Sequence, residues 1–346
     1  MKMKWMILAG FLLLFAGCSG NKDADQCYKD GIEALENENY DAALSYFEQL
    51  IAEGALLPEA YRGYGIAWME KECYPEAIAA FSRSLNNLDG NHLQFKEDVM
   101  FYLAEMRMIT GDKEKAIEVY SNILKENKKN VQAFFLRGEA YLEQKDFESA
   151  KKDFDRALLD SENYNLYINI YQLYADMGME TEGNKYLEKA LDLKPETGED
   201  YYHRGRIYEN QGLYMEAKAA LLTAIQMEYE DAMLVLGRIY LKLDDSTSAR
   251  TMYQEYLEQS EQKAKAYNGL AQCDIYDGSY DSALNYIAEG LEVCESDEIQ
   301  GLLYNEIVAY EYKNEFQTAK QKMQEYLERY PDDQDAIREN EFLSTR

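Results

Sequence analysis

A chain of 346 residues with 65 acidic and 36 basic side chains carries a formal net charge of −29, which sets it against nucleic acid and anionic lipid headgroups as direct ligands. The acidity either attracts basic partners or, more simply, keeps a long exposed surface soluble. Only 4 prolines, among abundant Glu, Lys, Ala and Leu, point to a mostly helical chain. The 31 tyrosines suit a thin protein, because tyrosine sets its ring in a helix seam and its hydroxyl in water.

In chain order, Lys2 and Lys4 precede an apolar run that ends in small residues at Ala16-Gly17-Cys18, the layout of an export signal. The run is too short for a comfortable membrane span, which needs about 20 apolar residues. Leu14-Phe15-Ala16-Gly17-Cys18 resembles the lipobox of bacterial lipoproteins, with Phe15 where leucine is commoner. The resemblance implies a signal peptide over 1–17 and lipidation of Cys18 as the mature N-terminus. It places the protein on the extracytoplasmic side of a bacterial cell envelope, anchored to a membrane through lipid. The alternative is an ordinary secretory signal that contains a cysteine. Residues 18–26 then form the lipidated cysteine and a short polar tether. Cys27, Cys73, Cys273 and Cys294 show no CxxC spacing and read as buried or turn thiols.

The stretch Phe134 to Leu158 sets Gly138, Ala150 and Ala157 among Tyr141, Phe147 and Phe154, as two short, closely packed helices require. Equivalents of Gly138 fall at Gly31, Gly65, Ala104, Tyr171, Gly205, Gly237, Ala271 and Ile307. A second small residue follows twelve positions later in every frame: Ala43, Ala77, Ala116, Ala150, Gly183, Ala217, Ala249, Ala283 and Ala319. Four further on stands a large side chain, Phe47, Phe81, Tyr120, Phe154, Leu187, Leu221, Tyr253, Ile287 or Met323, on the same helix face. A hairpin built this way exposes an apolar side that only the next hairpin can bury.

This pattern resembles the tetratricopeptide repeat, whose period is 34 residues. The resemblance implies an all-α fold: a helical-hairpin solenoid, a right-handed superhelix, of about nine repeats over 27–333. A capping segment over 334–346 follows. Tyr171 and Ile307 in place of a small residue predict looser fifth and ninth frames, and Asp274 replaces a packing tyrosine. A spacing of 39 residues between Gly65 and Ala104 predicts a longer loop near 86–98. The basic residues from Lys113 to Lys152 alternate with Glu114, Glu118, Glu126 and Glu148, a solvated mixed face.

The only histidines, His92 and His203, lie in different frames, and no HExxH, Ser-His-Asp, phosphate-loop or EF-hand pattern occurs. His203 reads as a surface or groove residue. Carboxylate pairs are too numerous for any one to mark an acid/base site. The expectation is therefore a protein that is not an enzyme, with no cofactor and no metal site.

Among tetratricopeptide repeats the first helices line a concave groove. On that face, three before, one after and four after the first small site, stand Tyr28, Ile32, Leu35; Arg62, Ile66, Met69; Phe101, Glu105, Met108; and Phe135, Glu139, Leu142. Later frames place Tyr202, Arg206, Glu209 and Leu234, Arg238, Leu241 there. The partner-binding candidates are Tyr28, Arg62, Met69, Phe101, Met108, Phe135, Glu139, Leu142, Tyr202, Arg206 and Arg238. Arg206 and Arg238 either receive an acidic group of a partner or pair with a neighbouring glutamate. The apolar positions either meet a partner or pack adjacent first helices together. The paired Lys and Asn clamp that some of these domains use for a terminal carboxylate is absent from these positions. The expected function is a lipid-anchored scaffold or adaptor holding a protein or peptide, in envelope assembly or secretion. The alternative is a lipoprotein that captures a glycan or small molecule for a transporter or enzyme.

Overall fold

A computed structural model describes residues 22–90, 92–159, 161–294 and 299–346. The expected signal peptide and Cys18 lie outside the described residues. The chain forms two compact units divided after Ser161. Unit 1 holds four helical hairpins: α1 (Lys22–Glu36) with α2 (Tyr40–Glu53), α3 (Leu57–Glu70) with α4 (Tyr74–Asn86), α5 (Leu93–Ile109) with α6 (Lys113–Glu126), and α7 (Val131–Glu143) with α8 (Phe147–Ala157). Unit 2 holds five more: α9 (Tyr164–Asp176) with α10 (Glu180–Leu191), α11 (Gly198–Asn210) with α12 (Tyr214–Gln226), α13 (Ala232–Lys242) with α14 (Ser246–Gln259), α15 (Ala264–Tyr276) with α16 (Tyr280–Val293), and α17 (Ile299–Tyr312) with α18 (Phe316–Arg329). A nineteenth helix, α19 (Gln334–Ser344), packs on α18. The fold is all-helical, a row of hairpin repeats.

Short polar residues start many of the helices. Asn130 accepts from the backbone N–H of Ala133 and Asp146 from that of Ser149, while Thr197 and Asp200 form a reciprocal capping box ahead of α11. Each first helix ends in a tight turn with one residue in the left-handed region, seven positions after the first small site. Glycine occupies it at 111, 178, 212 and 278, but Glu38, Glu72, Lys145, Asp244 and Asn314 occupy it in the other frames. At that position the chain reverses with bonds such as Cys73 N–H to the Trp68 carbonyl and Glu72 N–H to that of Met69.

Packing follows from the small and large sites. The alanines at 43, 77, 116, 150, 217, 249, 283 and 319 are fully buried, as are Phe47, Phe81, Phe154, Leu187 and Leu221 beside them. Phe47 lies against Gly31 of its own hairpin and Gly63 of the next, and Tyr253 lies likewise between Gly237 and Gly269. A methyl group added at any of these glycines meets the ring closer than 3.0 Å, so the ring and two backbones form one rigid sandwich. Within unit 2 successive first helices touch directly, α9 with α11, α11 with α13, α13 with α15 and α15 with α17, and no pair of second helices does so to the same extent. That asymmetry makes the first helices the inner ones of unit 2.

Three expectations change. Residues 22–26 belong to α1 rather than to a tether, because Asp23 and Asp25 favour a helix N-terminus and Ala24 and Cys27 are buried against the first hairpin. The extra residues near 86–98 do not make a long loop but lengthen α5 to 17 residues. Its first turns bridge to both neighbours: Asp98 pairs with Arg62, Lys96 with Glu126, and Glu97 accepts from Asn130. The fifth frame is not loose either, since it exchanges small for large. Gly183 on α10 stands where a methyl group comes within 3.0 Å of the Tyr171 ring and backbone, so Tyr171 fills the gap from the first helix. In the ninth frame Ile307, Ala319 and Met323 are buried together.

Candidate functional site

The face of the first helices divides the predicted binding residues into three groups. Phe135 and Leu142, 2% and 1% exposed, belong to the core, and Phe101 at 8% belongs to it as well. Phe135 lies 6.0 Å from Phe154, and Phe101 lies 6.3 Å from Tyr120. Phe101, Phe135 and Leu142 therefore pack neighbouring helices together and cannot meet a partner as they stand. Tyr28 is half-buried, edge-on to Phe47 at 6.0 Å. Met69 and Met108 are half-buried and border the same core.

A second group is already paired. Arg62 binds Asp98 and lies 5.5 Å over the Tyr102 ring. Arg238 donates from Nε and Nη2 to the two Glu209 carboxylate oxygens at 3.2 and 3.1 Å, the neighbouring-glutamate reading of this arginine. Asp274, where a packing tyrosine was expected, is buried and accepts from Arg250 at 2.7 Å.

The third group has no internal partner. Glu105 and Glu139 are half-buried and form no hydrogen bond or ion pair among the described residues. Burial, then the nearby Glu70, raises the Glu105 carboxyl; burial, then Glu143 and Glu105, pushes Glu139 up to about 7. Arg206 lies 5.7 Å over the Tyr202 ring and forms no ion pair among the described residues. Tyr202 in turn leans on Tyr229 at 4.9 Å.

His203 is not at the surface. It is 6% exposed, stacked 6.0 Å from Tyr164 and 3.4 Å from the Asn165 amide of the preceding hairpin. Two positions before the first small site a side chain faces the preceding hairpin, which is why it is enclosed. Burial, with Arg206 acting the same way, lowers its proton affinity against the pull of Glu199.

Two hydroxyls escape a reading of the sequence. Tyr120 and Tyr253 occupy the large packing site, and both are 2% exposed. The Tyr120 hydroxyl makes no hydrogen bond among the described residues and is raised by burial, then by Glu139, Glu105 and Glu143. The Tyr253 hydroxyl is buried without a partner, within reach of Cys273, Arg238 and Glu209.

No group of three His, Cys, Asp or Glu side chains converges to hold a metal ion among the described residues. No helix of the described residues is long and apolar enough to cross a membrane. Cys27, Cys73, Cys273 and Cys294 are free thiols, and burial pushes Cys273 up to about 12.

Sequence profiles described as tetratricopeptide repeat match residues 28–92, 103–165, 202–264 and 234–292, with further profiles of the same description at 164–197 and 302–333. No curated protein matches the chain. Among solved structures, yeast Tom70 is 18% identical, covers 87% of this chain with 67% of its own, and superposes with a TM-score of 0.53, a likeness of fold. A tetratricopeptide repeat protein from Parabacteroides merdae is 14% identical over 73% of this chain and 98% of its own, with a TM-score of 0.47. YrrB, described as having an unusual peptide-binding site, is 26% identical over 54% of this chain and 97% of its own, with a TM-score of 0.35.

Proposed function

The chain belongs to the tetratricopeptide repeat family, and from that premise we propose that it is a lipid-anchored extracytoplasmic scaffold or adaptor. It binds a protein or peptide along the first-helix faces of its units, in envelope assembly or secretion. The observation that carries this reading is the set of half-buried charges on those faces, Glu105, Glu139 and Arg206, that no described residue neutralises. Charges held partly out of water without an internal partner are costly to keep, and a partner that pairs them recovers part of that cost. Support against a glycan receptor comes from the tyrosines, whose rings stack on one another within a repeat, as Tyr174 does on Tyr186, or between neighbouring repeats, as Tyr280 does on Tyr312.

Photo-crosslinking side chains placed at Met69 and Met108 test the face directly. The expected result is capture of a defined protein or peptide at both positions; capture only from a second-helix position such as Ser149 overturns the assignment. The anchor rests on Lys2, Lys4 and the run ending in Cys18. Palmitate labelling of the wild-type chain that disappears in Cys18→Ala is expected, and labelling that persists overturns the anchor.

A further inference from the structure

Among the described residues no cation pairs with Glu105 or Glu139, and three cations of the helices of this region pair elsewhere. Arg62 holds Asp98, Lys113 holds Glu143 at 2.7 Å, and Arg107 holds Asp112 at 3.2 Å. In unit 2 Arg238 is neutralised by Glu209, four positions past the small site of the preceding frame. The matching positions for Glu105 and Glu139 are Met69 and Met108, which offer no charge. The two carboxylates remain beside each other's charge, and the exposed Glu70 and Glu143 add to the same negative field.

A second, independent observation lies beneath them. Tyr120 is 2% exposed, yet its hydroxyl has no hydrogen-bond partner among the described residues and reaches the field of Glu139, Glu105 and Glu143. Its equivalents in the flanking frames, Phe81 and Phe154, are fully buried and have no hydroxyl. The Tyr120 ring is thus sealed in the core, while its hydroxyl is left free to bond a group that arrives above it.

We propose that Glu105, Glu139 and the Tyr120 hydroxyl receive one basic side chain, a lysine or arginine, of a peptide lying along the first-helix face of unit 1. This rests on the peptide-binding reading above and gives it a partner chemistry. Two carboxylates accept charge-assisted hydrogen bonds from an ammonium or guanidinium group, and the hydroxyl supplies a neutral acceptor below it. Half-buried Met69 and Met108 border the site and suit the aliphatic stem of such a side chain. A divalent cation fits less well, because no third ligating side chain converges. Since Glu139 holds a proton near neutrality, the arriving cation releases it, and binding strengthens from pH 6 to pH 8.

The test uses the full-length chain and fluorescein-labelled octapeptides of alanine, leucine and serine that differ only at a central Lys, Arg, Met or Glu, read by anisotropy. Peptides with Lys or Arg are expected to bind at least tenfold more tightly than their Met counterparts. The Glu105→Gln, Glu139→Gln double variant is expected to abolish the difference between Lys or Arg and Met peptides, and Tyr120→Phe to reduce it about threefold. Equal binding of Lys and Met peptides overturns the basic-side-chain site and leaves the peptide-binding reading intact. Absence of binding by every peptide overturns both. A preference that stays flat between pH 6 and pH 8 overturns the role of Glu139.

Discussion

One residue past the first small site, unit 1 carries Glu105 and Glu139 where unit 2 carries Arg206 and Arg238, and in each unit a buried tyrosine, Tyr120 or Tyr253, sends its hydroxyl toward these charges. In unit 2 Glu209 reaches Arg238 and forms two hydrogen bonds. In unit 1 methionines occupy the positions from which a counter-ion could come, so the carboxylates stay unpaired and both are raised by burial, Glu139 to about 7. The same repeat geometry thus yields a self-satisfied pair or a receptive one, and the residue four past the small site of the previous frame decides which.

The largest effect is expected where both units share one construction. Gly63→Leu forces a side chain into Phe47, and Gly269→Leu into Tyr253; neither ring has room to move. Each is expected to cost about 3 kcal/mol in urea unfolding of the affected unit. Near-wild-type stability of either variant breaks the shared-sandwich account.

The unpaired acids give unit 1 a pH signature. The Glu139 carboxyl binds its proton more tightly folded than unfolded, so between its ordinary value of 4.5 and about 7 the folded state holds more protons. Stability conferred by the neutral form is therefore full below that window and is lost as pH rises through it, by roughly 1 to 3 kcal/mol. Glu139→Gln is expected to remove this slope. In unit 2 Glu311, also pushed up to about 7 by burial and then Glu339, carries the parallel slope and Glu311→Gln removes it. Urea midpoints measured from pH 4 to pH 8 check both.

A smaller effect concerns the turns. Lys145 in unit 1 and Asp244 in unit 2 adopt φ of 64° and 60°, a conformation that glycine reaches without side-chain conflict. Lys145→Gly and Asp244→Gly are each expected to stabilise by about 1 kcal/mol, seen as a raised melting temperature. The smallest effect sharpens the comparison itself. Met108→Glu combined with Glu139→Arg transplants the unit 2 pair into unit 1, and a double-mutant cycle is expected to give a favourable coupling of about 0.5 kcal/mol, since such pairs are partly open to water.

The repeat was legible because close approach of two backbones demands small residues at fixed positions, and nine frames of Gly or Ala opposite a large side chain record it. The turn was only half legible: Gly111, Gly178, Gly212 and Gly278 mark it, but Glu38, Glu72 and Lys145 take the same backbone conformation without advertising it. Of the two readings open at Phe101, Phe135 and Leu142, packing holds, because large apolar residues on an inner helix also seal one hairpin to the next. The state of Glu105, Glu139 and Arg238 depends on a side chain roughly thirty positions earlier, a relation that appears only when the frames are overlaid in space. Residues 22–26 and the insertion before Ala104 were read as tether and loop, yet both became helix because they bury Ala24 and supply Lys96, Glu97 and Asp98 to neighbouring hairpins.

The central claim is that unit 1 holds a receptive, unpaired carboxylate site where unit 2 holds a satisfied one. Its most direct measurement is a carbon-13 NMR titration of the glutamate side chains, with Glu139 and Glu209 assigned from their Gln variants. The account predicts a Glu139 midpoint near 7 that falls when a lysine-containing octapeptide is added, whereas the Glu209 resonance at fixed pH does not move with the peptide. A Glu139 midpoint near the ordinary 4.5 that is indifferent to the peptide contradicts it.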